Sequence, residues 1–376
     1  MLKKIIGIWF ITVLGSTALL NAQGVGSGSI EDPVRFWPEA SPDSMGLNME
    51  ALEMHLDICK ETNSTACIVA YKGHIVQEWY EKPVYHEIPI LIETRSAVKS
   101  WTSLLAGMLW DEGKIESLDD PVSKYIPEWE SGAEAGVTVR HLLTMTSGIR
   151  QRKAADWAQI QAENKILIQA HRNSNEAAFK VKLDTIPGVT YSYSNEGVQL
   201  LSPVLERAAG MPLAAYAREK LFTPLDMYWS KMFIDEYYNT VTYADASTTP
   251  REFAKIGQLI LNNGKWNGKQ IISEEYLNMA TQPIPQFEKY GYLWWVSEER
   301  GTLSAMGSHD NSCIVFPEKE LVVVRMQHDP LPGSNGQWQS LSTVNLLQSI
   351  VPDNIDMNSS EPKLKDVTNF QSGKKK

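Results

Sequence analysis

The sequence has few of the residues that most metal and redox sites require. It contains only three cysteines, Cys59, Cys67 and Cys313, and seven scattered histidines among 376 residues. Because no C-x-x-C or H-E-x-x-H motif occurs, we expect neither a metal nor a cofactor. The G-x-S-x-G pentapeptide of α/β-hydrolases is also absent, which argues against that fold.

The cysteines leave two alternatives open. An oxidising compartment would permit one bridge, such as Cys59 to Cys67, and would leave the third thiol free. Because buried unpaired cysteines are common in protein cores, we favour free thiols.

Basic residues are also fewer than acidic residues. The chain has 35 lysines and arginines against 45 acidic residues, for a net charge of −10, which becomes −12 once residues 1–22 are removed. A negative surface repels phosphates, and no basic helix with interleaved aromatic residues offsets it. We therefore expect no nucleic-acid partner.

Long apolar runs are absent except at the start of the chain. Two lysines precede an apolar run from Ile5 to Leu20, and the small residue Ala22 follows at the presumed cleavage point. This pattern predicts a signal peptide over residues 1–22 and an exported protein, periplasmic or secreted. A membrane anchor is the alternative, but the run is shorter than the ~20 residues of a spanning helix. We expect no stable membrane span after cleavage.

The remaining residues alternate between strand-like and helical patterns. A Gly- and Pro-rich lead-in over residues 23–45 precedes an α/β domain formed by residues 46–114 and 246–352, with a mostly helical domain inserted over residues 115–245. Residues 353–376 form a polar tail. The predicted fold class is α+β, an antiparallel sheet flanked by helices, with a cleft where the insert meets the sheet.

Apolar spacing predicts the individual elements. Five helices are expected, over residues 48–59, 96–113, 138–148, 195–209 (kinked or split by Pro203) and 249–261 (opened by a capping box at Thr249 and Glu252). Strands are expected within residues 66–80, joined at Lys72-Gly73, and in four segments from Tyr290 to Met326.

Ser96 and Lys99 are the first candidate site. Residues three apart share a helix face, so the serine hydroxyl and the lysine amine can meet at the start of the apolar helix. The positive end of the helix dipole disfavours a protonated lysine, and a neutral lysine can accept the serine proton. The spacing alone also fits an ordinary helix cap.

Tyr193-Ser194-Asn195 is the second candidate. A tyrosine near a cationic lysine can become more acidic and carry protons to a leaving group. The amide of Asn195 can hold the lysine or a substrate carbonyl. Trp294 and Trp295 are candidates for lining the cleft, and since consecutive strand residues face opposite sides, at most one should meet substrate.

These segments together resemble the serine β-lactamase and penicillin-binding superfamily, in its class C-like branch of esterases, D-amino-acid peptidases and 6-aminohexanoate-dimer hydrolases. TRSAVKSWTSLLAGML is similar to the S-x-x-K helix and YSYSNEGVQLL to the Y-x-N segment. The resemblance spans roughly residues 40–350 and implies a β-lactamase/transpeptidase-like fold. It also implies that Ser96 is the acylated nucleophile and that Lys99 and Tyr193 share the roles of general acid and general base. Asn195 would have a positioning role.

The resemblance implies a third motif beside the nucleophile, and here the chain departs from the family. The matching strand reads Ala305-Met306-Gly307-Ser308, in which Gly307 fits and the Ser96 and Ser308 backbone N–H groups would form the oxyanion hole. Ala305 stands where the family has a lysine or histidine that helps to bind a substrate carboxylate. His309 could replace that group only in part.

The sequence therefore predicts a metal-free serine hydrolase that cleaves a small-molecule ester, amide or peptide substrate through an acyl-enzyme on Ser96. Loss of the third-motif cation ranks β-lactamase or D,D-peptidase activity second. A noncatalytic binding protein on the same fold is the alternative from another class. Oligomeric state stays open.

Overall fold

The computed structural model describes residues 37–150, 172–328 and 341–353. The predicted signal peptide, most of the predicted lead-in and all but the first residue of the predicted polar tail lie outside the described residues.

The strands form one large sheet and two small ones. Their bounds are β1 Ala66–Tyr71, β2 His74–Tyr80, β3 Ile92–Glu93, β4 Lys231–Met232, β5 Ala246–Thr248, β6 Lys265–Trp266, β7 Lys269–Gln270, β8 Trp295–Ser297, β9 Thr302–Met306, β10 Ser312–Phe316 and β11 Leu321–Met326. The large sheet has the order β2-β1-β11-β10-β9-β8, and all its pairs are antiparallel.

The α-helices of the described residues are short to medium in length. Their bounds are α1 Met49–Glu61, α2 Val98–Asp111, α3 Val139–Leu143, α4 Ser174–Phe179, α5 Asn195–Gln199, α6 Leu201–Ala209, α7 Leu213–Ala217, α8 Pro250–Leu261, α9 Glu274–Ala280 and α10 Leu341–Ser349. None of the helices in this described part is long and apolar enough to cross a membrane.

The large sheet is buried on both faces, which confirms the predicted α+β class. Residues that alternate along β1, β2, β10 and β11 belong to two separate apolar clusters, as the two-residue period of a strand requires. Val69 and Val323 face the cluster under α1 and α10, whereas Ile68 and Val324 face the cluster that contains α2 and α8. The second cluster continues into the helices between residues 115 and 245, so the division into two domains stays a prediction.

Most elements lie where the sequence pattern predicts them. The strands β1 and β2 form a hairpin whose turn residues Lys72 and Gly73 both have positive φ, of 47° and 75°, as a tight hairpin turn requires. The helix predicted over 195–209 is split at Leu200 into α5 and α6. Pro203 lies in the first turn of α6, where a missing N–H costs nothing.

Two predicted helix features are wrong. The helix capped by Thr138 ends at Leu143 and does not reach Gly148, because Met145 adopts a left-handed conformation with φ of 56°. The predicted capping box of α8 is only half formed. Thr249 accepts from the Glu252 N–H at 3.2 Å, but the Glu252 carboxylate accepts from the Trp229 N–H at 2.9 Å instead of returning to the cap.

The expectation of free thiols at positions 59 and 67 is also wrong. A disulfide joins Cys59 at the end of α1 to Cys67 at the start of β1, with their Cα atoms 6.5 Å apart. Cys313 is free and buried, as the odd count requires. His55 packs on the bridge, with its Nε2 3.6 Å from Cys59 Sγ, and burial lowers the His55 pKa to about 4.

The contact between α8 and the sheet leaves no room for a side chain at Gly257. A Cβ atom there would lie 2.7 Å from both Cys313 Sγ and Val322 Cγ1. We predict that Gly257→Ala lowers the free energy of unfolding by roughly 1–2 kcal/mol in urea denaturation, because overpacking outweighs the gain in helix propensity.

Gly136→Ala is the matched control for that change. A Cβ atom at Gly136 would have no heavy atom within 4 Å, so the variant should unfold like the wild type. A Gly257→Ala protein as stable as Gly136→Ala would contradict the close packing of α8 on the sheet.

Candidate active site

Ser96 lies just ahead of the helix that the sequence assigns it to. It occupies a 3-10 turn, Arg95–Ala97, and α2 begins at Val98. Lys99 is in the first turn of α2, and its Nζ donates to Ser96 Oγ at 3.0 Å. Ser96 is partly exposed, so its hydroxyl is open to a ligand while the lysine behind it is enclosed.

Lys99 is a lysine inside the protein core. Only 2% of it is exposed, in a helix whose residues from Val98 to Leu109 are all buried. Burial lowers its pKa from 10.5 to about 7, while the nearby charges of Asp245 and Glu196 oppose that shift. The sequence predicts that the helix dipole disfavours the protonated lysine, whereas desolvation is the dominant cause of its lowered pKa.

The Lys99 amine is held from the far side by a backbone carbonyl. Its Nζ donates to the Tyr243 carbonyl oxygen as well as to Ser96 Oγ. The neighbouring Thr242 fixes that backbone, because its carbonyl accepts from Thr102 Oγ1 at 3.1 Å and its own Oγ1 donates to the Val198 carbonyl at 2.9 Å. The lysine is therefore oriented by a segment that no sequence motif predicts.

Tyr193 contacts both partners of the pair. Its side chain is hydrogen-bonded to that of Ser96, and Lys99 Nζ lies 4.9 Å from its ring centroid. Burial raises the Tyr193 pKa, although the Ser96 hydrogen bond opposes this. The expected acidification of the phenol is therefore wrong, and Tyr193 keeps its proton at neutral pH.

The two tryptophans face opposite ways, as expected. Trp294 is fully buried, whereas Trp295 is partly exposed and stacks on Tyr193 with ring centroids 6.4 Å apart and an interplanar angle of 22°. Trp295 therefore lies beside the candidate catalytic groups.

Asn195 opens α5 immediately after Tyr193. The preceding Ser194 caps this helix by accepting from the Gly197 N–H at 3.0 Å. Asn195 is 9% exposed, and its Oδ1 has no hydrogen-bond partner among the described residues. A buried acceptor of this kind needs a donor, which a ligand can supply.

Gly307 brings the end of β9 against Ser96. A Cβ atom at this position would lie 2.3 Å from the Thr94 carbonyl oxygen and 3.0 Å from the Ser96 nitrogen, so only glycine fits. The next residue, Ser308, is exposed. The structure thus brings Ser96, Lys99, Tyr193 and Gly307 together.

The third-motif position carries no cation. Ala305 is fully buried and belongs to the apolar core, so it presents no group to a ligand. His309 follows Ser308 in a left-handed conformation, and its carbonyl accepts from Arg325 at 2.5 Å. Burial, helped by the charge of Arg95, lowers the His309 pKa. His309 is therefore largely neutral at pH 7 and does not restore the missing charge.

One group in the described part of the chain has metal-ligating side chains close together. His55, Cys59 and Cys67 are all buried and offer ligand atoms within 4.8 Å of one another. Because the two sulfurs are joined in a disulfide, they are not available as thiolate ligands.

Three residues around Lys99 are not predicted from the sequence. Tyr243 acts through its backbone carbonyl, which any residue type could provide. Asp245 and Glu196 act through charge, and Glu196 is fully buried immediately after Asn195. The one available signal is the glutamate of YSNEG, an acidic residue in the first turn of the predicted helix that begins at Asn195.

Comparison with known proteins agrees with this geometry. A family model described as Beta-lactamase matches residues 90–338, which is more than half of the chain. The 6-aminohexanoate-dimer hydrolase of Paenarthrobacter ureafaciens is 24% identical over 344 residues, which cover 82% of this chain and 83% of that protein.

Solved structures show the same fold. EstCE1, a hydrolase with promiscuous acyltransferase activity, is similar with a TM-score of 0.64 at 15% identity, covering 82% of this chain and 99% of that one. A class C beta-lactamase is similar with a TM-score of 0.61 at 16% identity, covering 83% and 98%. The β-lactamase/transpeptidase-like fold expected from the sequence is thereby confirmed.

Because Lys99 is buried, we predict that its amine titrates at a lower pH than exposed lysines do. In protein carrying 13C-labelled lysine, the Lys99 side-chain resonance should titrate near pH 7, because its charged form is desolvated. Lys99→Met identifies the resonance by its loss. A Lys99 resonance that titrates above pH 10, with the exposed lysines, would contradict the buried position.

Proposed function

The chain belongs to the beta-lactamase family of hydrolases, and from that membership we propose that it is a serine hydrolase acting through an acyl-enzyme on Ser96. The observation that carries the proposal is the buried Lys99 amine 3.0 Å from Ser96 Oγ. With a pKa of about 7, that amine is substantially neutral at physiological pH and can accept a proton.

Acylation begins with proton transfer from Ser96 Oγ to Lys99 Nζ while Oγ attacks the substrate carbonyl. The new Oγ–C bond places a negative charge on the carbonyl oxygen. The Ser96 and Ser308 backbone N–H groups stabilise that charge, because Gly307 lets the end of β9 approach the nucleophile closely.

Collapse of the tetrahedral state breaks the bond to the leaving alcohol or amine. Tyr193 holds its proton, contacts Ser96 and lies beside Lys99, so it donates to the leaving group and is reprotonated by the Lys99 ammonium. Water then attacks the acyl-enzyme by the reverse sequence of proton transfers, which frees the acid and restores Ser96. Asn195 Oδ1 accepts a hydrogen bond from the bound substrate.

The substrate we propose is a small ester or amide. Ala305 supplies no cation for a β-lactam carboxylate, and a desolvated charged hydrogen bond contributes a few kcal/mol to binding. The similarity to a 6-aminohexanoate-dimer hydrolase favours a small acyl compound. We place the enzyme outside the cytoplasm on the basis of the apolar run that begins the sequence.

Labelling with a fluorophosphonate tests the nucleophile. We expect peptide mass analysis to find the adduct on Ser96 and to find none in Ser96→Ala. Turnover of p-nitrophenyl esters and anilides should exceed turnover of a chromogenic cephalosporin or a D-Ala-D-Ala peptide. Folded wild-type protein that is neither labelled nor active on any of these would favour a noncatalytic binding protein and would refute the hydrolase.

Replacing Tyr193 tests the proton donor. Tyr193→Phe should lower kcat for anilides roughly a hundredfold and for p-nitrophenyl esters much less, because p-nitrophenolate leaves without a proton. Tyr191→Phe is the matched control, since Tyr191 lies in the same segment but stacks on Phe287 with centroids 4.4 Å apart. Equal losses on both substrates would contradict the donor role.

A further inference from the structure

The turn that carries Ser96 is bound along its length by the segment 242–246. Thr94 and Ala246 exchange two hydrogen bonds, of 2.8 Å from the Thr94 N–H to the Ala246 carbonyl and 3.0 Å from the Ala246 N–H to Thr94 Oγ1. The same segment binds Lys99 through the carbonyl oxygen of Tyr243. One segment therefore holds both the residues before the nucleophile and the base after it.

Between these attachments, the Ser96 turn and the segment 242–246 meet at Arg95 and Asp245. Both have left-handed backbones, with φ of 54° and 50°, a conformation that residues with a Cβ atom rarely adopt. The Asp245 N–H donates to the Arg95 carbonyl at 3.0 Å, and the Arg95 guanidinium lies 3.4 Å from Asp245 Oδ1. Each strained residue is thus attached to the other twice.

The conformation of Arg95 decides where Ser96 points. The peptide group between them carries the Ser96 N–H, and Gly307 approaches that nitrogen so closely that a Cβ atom would lie 3.0 Å from it. A relaxed Arg95 backbone would rotate this peptide group and displace both the N–H and the serine hydroxyl from the end of β9.

We propose that Asp245 is a positioning residue for the hydrolysis, which holds Arg95 in its left-handed conformation and thereby aims the Ser96 hydroxyl and N–H at the substrate carbonyl. This inference rests on the proposed hydrolase function. Asp245 does not touch the substrate and acts through Arg95.

A second carboxylate on the same guanidinium provides an internal comparison. Glu93 Oε2 lies 2.7 Å from Arg95 Nη1, closer than Asp245 Oδ1 at 3.4 Å. Its side chain is 44% exposed against 27% for Asp245, and surface ion pairs contribute little. The Asp245 backbone N–H also donates to the Arg95 carbonyl, a hydrogen bond that side-chain substitutions keep, so variants at Asp245 remove only the contact of its carboxylate with the guanidinium.

The test compares Asp245→Ala and Asp245→Asn with Glu93→Gln on a p-nitrophenyl ester at pH 9. At that pH Lys99, with a pKa of about 7, is neutral, so loss of a nearby charge does not change its protonation. Asp245→Ala should lower kcat roughly tenfold with KM unchanged, since the carboxylate no longer holds Arg95 in its strained left-handed conformation. Asp245→Asn should lose less, and Glu93→Gln should match the wild type.

Recovery of kcat in a double variant distinguishes a positioning role of Asp245 from a general loss of structure. Glycine adopts positive φ without strain, so Arg95→Gly combined with Asp245→Ala should recover most of the lost kcat. A merely structural role for Asp245 predicts a double variant at least as slow as the single one. Thermal unfolding of each variant shows whether it is folded, and Asp245→Asn keeps the test available if Asp245→Ala is not.

The outcomes distinguish this inference from the proposed function. Wild-type protein without Ser96 labelling or ester turnover would overturn the hydrolase itself. A wild-type enzyme that is active, with Asp245→Ala equally fast or a double variant that shows no recovery, would overturn the positioning role alone. Loss in Asp245→Ala with recovery in the double variant supports it.

Discussion

The desolvation of one amine is the constraint around which the site is organised. A lysine in the core is costly, and its charge is disfavoured there unless neighbours offset the loss of water. Lys99 meets this with two acceptors, Ser96 Oγ and the Tyr243 carbonyl oxygen, and with the opposing charges of Asp245 and Glu196. The balance leaves its pKa near 7, in the range where an amine exchanges protons most usefully.

Every contact of that amine comes from a different stretch of chain. The S-x-x-K turn, the Y-x-N segment and the 242–246 segment converge on it, and the end of β9 closes the side facing the Ser96 nitrogen. This convergence explains why the central helix α2 is buried all round. Its first turn places Lys99 beside Ser96, while one face of the sheet and helices between residues 115 and 245 belong to the apolar cluster that covers the rest.

The sequence predicts those features that depend on side-chain type and period. The apolar stripe of α2, the hairpin at Lys72-Gly73, the strands that end at Met326 and the split caused by Pro203 all leave such a signal. Tyr243 contributes only a carbonyl, and Arg95, Met145 and Asp245 have left-handed backbones without being glycine or asparagine, so no pattern marks them. The disulfide depends on the 6.5 Å approach of α1 and β1, which a spacing of eight residues does not determine.

The sheet order has a further consequence for how the protein is made. Ala66 of β1 pairs with Met326 of β11, so an early strand finds its central neighbour only among the last strands synthesised. Contacts this distant along the chain form slowly, because the intervening loop must close first. On the ribosome, α2 is therefore made long before β9 and β11, which pack around it in the folded protein. The surroundings of Ser96 are therefore completed only when β1 and β11 pair, late in biosynthesis.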